Sequence, residues 1–188
     1  MSDKSQSHIF GTDTAAKITF IGLSGAGKTT LLNTLLGRPP IPANEDFPTV
    51  GANLEKIEIK GVAFQAMDVG GQISFAETVW EPYVKTSEGV VFVFDASDRD
   101  NVEFAYEWLK KTTNWTKKDS IFLFLANKKD LKECMLLKEV IKELNLSELM
   151  SKRPHSFGVY LISAKYNIDI DPAWNWFTSK LPALQNQP

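Results

Sequence analysis

The sequence predicts an α/β domain, a doubly wound and mostly parallel six-stranded sheet with flanking helices. Three observations lead there. Apolar strand-like runs alternate with amphipathic helical stretches along most of the chain, the pattern of repeated βαβ units. Two runs, Gly89–Phe94 and Ile121–Ala126, are continuously apolar, as strands covered on both faces must be. Gly22-Leu23-Ser24-Gly25-Ala26-Gly27-Lys28-Thr29 is a complete G-x-x-x-x-G-K-[ST] string set between a strand-like run and a helix-like one.

Met1–Ala15 is polar, with only Ile9 and Phe10 as bulky apolar residues, so a mobile tail is expected rather than a membrane-surface helix. Lys17–Ile21 is β-branched and aromatic, a buried strand. Thr30–Leu36 is an apolar helix closed by Gly37. Residues 54–59 and 62–68 form a hairpin around Lys60-Gly61. After the strand at Gly89–Phe94, Val102, Ala105, Tyr106 and Leu109 repeat at i, i+3, i+4, i+7 and predict a helix over about 100–113. Leu137, Val140, Ile141 and Leu144 repeat that spacing after the strand at 121–126. Tyr160–Ile162 is a further strand, and residues 173–181 close the domain as a helix. Trp108, Trp174 and Trp176 read as packing residues. The folded domain is expected over 16–182, with a short tail at 183–188.

The chemistry is carried by loops at strand ends. In the first loop the glycines let consecutive N–H groups turn inward, and the following helix N-terminus adds partial positive charge, so Ser24, Gly25, Ala26, Gly27 and Thr30 would cradle phosphates. Lys28 would reach the β- and γ-phosphates, and the Thr29 hydroxyl would ligate Mg²⁺. Asn127-Lys128-Lys129-Asp130 follows the strand at 121–126, at the end where open α/β sheets bind ligands. A buried Asp130 carboxylate accepts two hydrogen bonds from guanine but is left unpaired by adenine. The Lys128 stem lies against the base, and Asn127 ties this loop to its neighbours. Ser163-Ala164-Lys165 would place a backbone N–H near the guanine carbonyl. In Asp68-Val69-Gly70-Gly71-Gln72, Asp68 anchors Mg²⁺ through water and the Gly71 N–H approaches a γ-phosphate. Gln72 can orient an attacking water, a role glutamine plays in phosphoryl transfer to water. Thr49 completes Mg²⁺ coordination when a γ-phosphate is present.

These residues resemble the Ras superfamily of small GTPases, and specifically the Arf and Arf-like branch. The likeness rests on Gly22-Leu23-x-x-Ala26-Gly27-Lys28-Thr29-Thr30, Pro48-Thr49-x-Gly51-x-Asn53-x-Glu55 and Asp68–Gln72. It continues through Trp80-x-x-Tyr83, Phe92-Val93-x-Asp95-x-x-Asp98-Arg99 and Asn127-Lys128-x-Asp130-Leu131. The Thr49-to-Asp68 spacing is that of Arf chains, shorter than in Ras-type chains. The resemblance covers roughly residues 16–182 and implies a P-loop GTP/GDP switch with Mg²⁺. Its regions flanking Thr49 and Gly70–Gln72 would be mobile, joined by a hairpin that shifts register. It further implies slow intrinsic hydrolysis, an exchange factor, a GTPase-activating protein, effectors, and a role in membrane trafficking or cytoskeletal regulation. No arginine occurs in 39–51 or 70–79, so the activating protein would supply one. A non-hydrolysing guanine-nucleotide scaffold is the alternative, against which Gln72 and Thr49 argue.

The departures from the family pattern are specific. Ser2 stands where an N-myristoylated chain has glycine, so membrane contact is expected to be weak and not through myristate. Ala52 and Met67 replace two large aromatics of the usual effector surface, leaving Tyr83. The stretch from Gln72 to Trp80 is one residue longer than usual, and Ser163-Ala164-Lys165 is closer to Ras than to common Arf members. A formal charge of −2 and a pI near 5.7 argue against a nucleic-acid partner. Cys134 is the only cysteine, which excludes a disulfide framework, and His8 and His155 add no metal-ligand spacing. No apolar run approaches the roughly 18 residues of a membrane span. A monomer is expected in the cytoplasm, peripheral to membranes in the GTP state.

Overall fold

The computed structural model describes residues 16–39, 52–59, 62–69 and 76–181; at 52, 62, 63, 65, 67–69 and 76 it describes the backbone alone. The chain runs β1 (Ala16–Ile21), α1 (Lys28–Leu35), β2 (Ala52–Ile59), β3 (Val62–Val69), α2 (Ala76–Thr86), β4 (Gly89–Asp95), α3 (Val102–Trp115), β5 (Ile121–Asn127), α4 (Leu137–Glu143), α5 (Leu146–Lys152), β6 (Phe157–Leu161) and α6 (Ile170–Lys180). The sheet has six strands in the order β2-β3-β1-β4-β5-β6. Only β2 and β3 pair antiparallel; every other neighbour is parallel.

Two cores explain the double winding. On one face α1 and α6 bury Leu31, Leu32, Trp174 and Phe177 against β1, β3, β4 and β5. Trp174 stacks on Phe20 at 6.3 Å and meets Phe64 edge-on at 5.6 Å. On the other face α2 to α5 bury Trp80, Trp108, Leu109, Val140 and Leu146 against Phe92, Phe94, Phe122 and Phe124. β5 is buried at all seven positions, which is why its sequence is a continuous apolar run rather than an alternating one.

Element ends show the local chemistry. After α1, Gly37 adopts φ 65, its N–H bonds to Thr34 O (3.0 Å) and Arg38 N bonds to Asn33 O (2.9 Å), a Schellman closure that favours glycine. The helix expected over 100–113 lies two residues further on. The last helix starts three residues earlier than expected, because Ile170 enters the core. The stripe ending at Leu144 forms α4 as expected, and α5 is a further short helix that the sequence reading did not assign. Asn145 turns left-handed at φ 44, and the turn lets both Leu144 and Leu146 be buried.

Candidate functional site

Four loops gather at the carboxyl ends of the strands, where β1 sits between β3 and β4 and the chain winds off in opposite directions. The loop after β1 is shaped by three glycines. Gly22 has φ 141, and a Cβ there would lie 2.0 Å from Val93 O, so the loop can leave β1 against β4 only without a side chain. Gly25 (φ 74) and Gly27 (φ 92) are also left-handed, and a Cβ on Gly27 would meet Asn127 Nδ2 at 2.3 Å. Lys28 opens α1, is 5% exposed, and donates through Nζ to Gly22 O and Leu23 O at 3.0 Å each. The ammonium is thereby held over the loop whose amides precede the helix, the arrangement that favours an anion. Ser24 and Gly25 are exposed at the rim, while Thr29 and Thr30 are half-buried in the first turn of α1.

Asn127 joins the two halves of the site. It is 2% exposed at the end of β5. Its Nδ2 donates to Ala26 O in the loop after β1 (2.8 Å), and its Oδ1 accepts from Ala164 N in the loop after β6 (2.8 Å). Ser163 Oγ donates to Asp130 Oδ1 at 2.5 Å, and Lys129 N bonds to Ile162 O at 2.9 Å. The loops after β5 and β6 are thus fixed to each other and to the glycine loop.

One expectation is corrected. The sequence reading makes Asp130 a buried carboxylate; the structure places it exposed, oriented by the buried Ser163 hydroxyl. Its desolvation would come from a base laid over it. Lys165 is also exposed, its Nζ 5.2 Å from the Tyr166 ring centroid.

Two residues of the site were not assigned a role by the sequence. Asp95, at the end of β4, pairs with Lys128 Nζ at 2.6 Å, while Lys128 itself is held at φ 69. The other carboxylate oxygen of Asp95 accepts from Ser97 N (2.9 Å) and Ser97 Oγ (2.6 Å). Thr34 Oγ1 donates to Ala164 O at 2.8 Å, a contact 130 residues apart in sequence. The Phe92-Val93-x-Asp95 string could have flagged Asp95. Nothing in the sequence flags Thr34.

Cys134 is half-buried near these carboxylates. Burial first, then the charges of Asp95 and Asp130, push its thiol above the ordinary value, which disfavours a reactive thiolate.

The Mg²⁺ and switch residues are only partly within the described chain. The backbone of Asp68 pairs with Phe20 on one side and Asn53 on the other, beside the exit of β1 into the glycine loop. Thr49, Gly71 and Gln72 lie outside the described residues, as do 1–15 and 182–188. The side chains of Ala52 and Met67 lie outside them too, although their backbones belong to β2 and β3. By residue type, a threonine hydroxyl and an aspartate carboxylate are hard oxygen donors of the kind that suits Mg²⁺.

Comparison with known proteins gives a consistent result. Residues 3–181 match the family described as ADP-ribosylation factor family. ADP-ribosylation factor-like protein 1 of Caenorhabditis elegans is 32% identical over 166 residues, 88% of each chain. The protein of the same name from Drosophila melanogaster is 32% identical over 166 residues, again 88% of each. Among solved structures, the Arl6 BBS3 small GTPase of Trypanosoma brucei, with bound nucleotide analogue GppNp, superposes with a TM-score of 0.77. It is 27% identical and is covered over 100% of its length by 93% of this chain.

Proposed function

The chain belongs to the ADP-ribosylation factor family, and from that premise we propose how its residues perform the family's work as a GTP-binding switch that hydrolyses GTP to GDP. The observation that carries the assignment is the Asn127 amide, which locks the phosphate-loop carbonyl of Ala26 to the base-loop amide of Ala164. A nucleotide lying along that bridge meets both readers at once.

The amides of Ser24 to Thr30 and the Lys28 ammonium hold the β- and γ-phosphates. Asp130, oriented by Ser163, accepts the guanine ring N–H and exocyclic amine. The Ala164 region meets the guanine carbonyl, and the Lys128 stem covers the base beside Lys165. Thr29, Thr49 and Asp68 are proposed to hold Mg²⁺, the last through water; the ion neutralises phosphate charge when bound. The Gly71 N–H contacts the γ-phosphate and Gln72 orients the attacking water. An activating protein supplies the missing cation, while an exchange factor and effectors read the two states. No helix among the described residues is long and apolar enough to cross a membrane; peripheral contact in the GTP state, not through myristate, is the reading proposed.

The test is displacement of a fluorescent GDP by GTP, ATP and XTP. GTP should outcompete ATP by on the order of a hundredfold or more, because adenine would desolvate the Asp130 carboxylate without the two donors that guanine offers it. Asp130→Asn should weaken GTP and favour XTP, whose carbonyl complements the amide. Equal displacement by ATP and GTP would refute the assignment. For Gln72→Leu, GTP binding should persist while single-turnover hydrolysis falls steeply; hydrolysis at the parent rate would remove Gln72 from the mechanism.

A further inference from the structure

At the opposite end of the sheet from the nucleotide loops lies a groove of about 760 Å³, between α3, α5 and the segment leading into β6. Its lining includes the apolar surfaces of Tyr106, Leu149 and Pro154. Among the described residues its lining carries four cationic side chains, Lys110, Lys118, Lys152 and Arg153, with His155 and a single carboxylate, Glu148. That balance contrasts with the whole chain, whose formal charge is −2.

The one carboxylate is already engaged. Lys152 Nζ lies 2.6 Å from Glu148 Oε1, and Asn145 Nδ2 donates to Oε2 at 2.7 Å. Arg153 is half-buried and donates to three backbone carbonyls: Thr116 (2.6 Å), Lys117 (2.8 Å) and Ser120 (3.3 Å). It pairs with no carboxylate among the described residues, so a rigidly placed guanidinium charge lies in the groove wall without an anionic partner. Lys118 makes no hydrogen bond or ion pair among the described residues, and Lys110 stands over the Tyr106 ring at 6.0 Å.

We propose that this groove binds the phosphate groups of a multiply phosphorylated ligand, of the kind presented by a phosphorylated inositol headgroup, free or in a membrane. The volume lies in the range of small-molecule sites, compact for an extended acidic peptide. Lysine ammonium groups bind phosphate as point charges around the fixed guanidinium, and Tyr106 and Leu149 offer apolar surface to the C–H face of a ring. The groove also lies far from the nucleotide loops. β1, β5 and β6 run parallel, so Ala16 starts at the same end of the sheet as the groove. There too Leu181, just beyond α6, lies beside Gly89 at the start of β4. Chain entry, chain exit and groove share one pole, leaving the nucleotide loops at the other, about 20 Å away by the length of β5. The ligand would therefore bind in either nucleotide state.

The test uses the full chain loaded with GDP and freed of excess nucleotide. One arm titrates soluble inositol trisphosphate by calorimetry; the other sediments phosphatidylcholine vesicles with and without phosphatidylinositol bisphosphate. The groove variant is Lys110→Glu with Lys118→Glu; the control, Lys132→Glu with Lys138→Glu, makes the same charge change at exposed sites elsewhere. Binding in either arm that falls at least about tenfold in the groove variant and under about twofold in the control supports the site. Vesicle binding assigns the membrane source, and binding of the soluble probe alone assigns a free phosphorylated ligand. Absence of saturable binding in both arms overturns the proposal. So does equal loss in the two variants, or a hexaglutamate peptide that binds as tightly as the inositol probe. The GDP release rate should be the same in all three proteins; its change would trace the loss to the nucleotide site instead.

Discussion

Asn127 shows how much of the site rests on one side chain. Truncating it to alanine strips a buried carbonyl at Ala26 and a buried amide at Ala164 of their partners, each costing about 1–3 kcal/mol. Asn127→Ala should therefore lower the melting temperature by several degrees and speed GDP release together. A variant that melts with the parent and releases GDP normally would mean the bridge does not organise the site. Asp95 invites a finer test, since asparagine there can still accept from Ser97 but cannot neutralise Lys128. Asp95→Asn should leave the melting temperature nearly unchanged and speed GDP release by roughly three- to tenfold, in keeping with a partly exposed ion pair. If release is unaltered, Lys128 needs no partner to cover the base. That Lys28, Asn127 and Asp130 lie at one end of the sheet was legible in the sequence, because each follows a strand-like run at a specific spacing. The exposure of Asp130 was not, because burial depends on what lies above it.

At the scale of elements, the turn that closes α1 is joined to β2 by Arg38 Nη2 and Glu55 Oε2 at 2.9 Å, with Asn53 Nδ2 donating to the second carboxylate oxygen at 2.9 Å. The hydrogen bond from Arg38, above all, holds Glu55 below the usual carboxylate range against the opposing effect of burial. A carboxylate depressed in the folded state contributes stability that is present above its unfolded pKa and is lost as pH falls through its folded pKa. The tie between α1 and the hairpin should therefore loosen only in that acidic window. Arg38→Ala should move the Glu55 titration, followed by carboxyl carbon resonances, up toward an ordinary glutamate. An unmoved midpoint would show that the ion pair does not persist in solution. The sequence reading of elements was accurate where a stripe had one partner, as in α3, and short where the core demanded more. Nothing in Leu144-Asn145-Leu146 marks the start of α5, whose Leu146 enters the core once Asn145 turns left-handed.

For the whole molecule, the hairpin β2–β3 is the edge of the sheet on the side where the nucleotide loops meet β1. A γ-phosphate that engages Thr49 and Gly71 would order the segments flanking this hairpin, and GDP would release them. Hydrogen exchange comparing GDP with a non-hydrolysable GTP analogue should change protection across 45–80 while leaving β5 and α6 alike. Identical protection across 45–80 would mean the chain binds nucleotide without switching. Ala52 and Met67 sit on the hairpin where aromatic anchors would otherwise supply contact area, so the effector set should differ from that of typical family members.

The sequence by itself determined the fold class, the phosphate loop and the family, because each depends on local periodicity or on short spacings fixed by backbone geometry. Tertiary structure alone decided which distant groups complete the site. Thr34 reaches Ala164, Asp95 reaches Lys128, and Arg153 reaches the loop before β5 only because parallel strands bring their ends into line. Side-chain contacts between residues thirty to one hundred and thirty positions apart carry no spacing rule, so the register of the sheet, not the order of the residues, selects them.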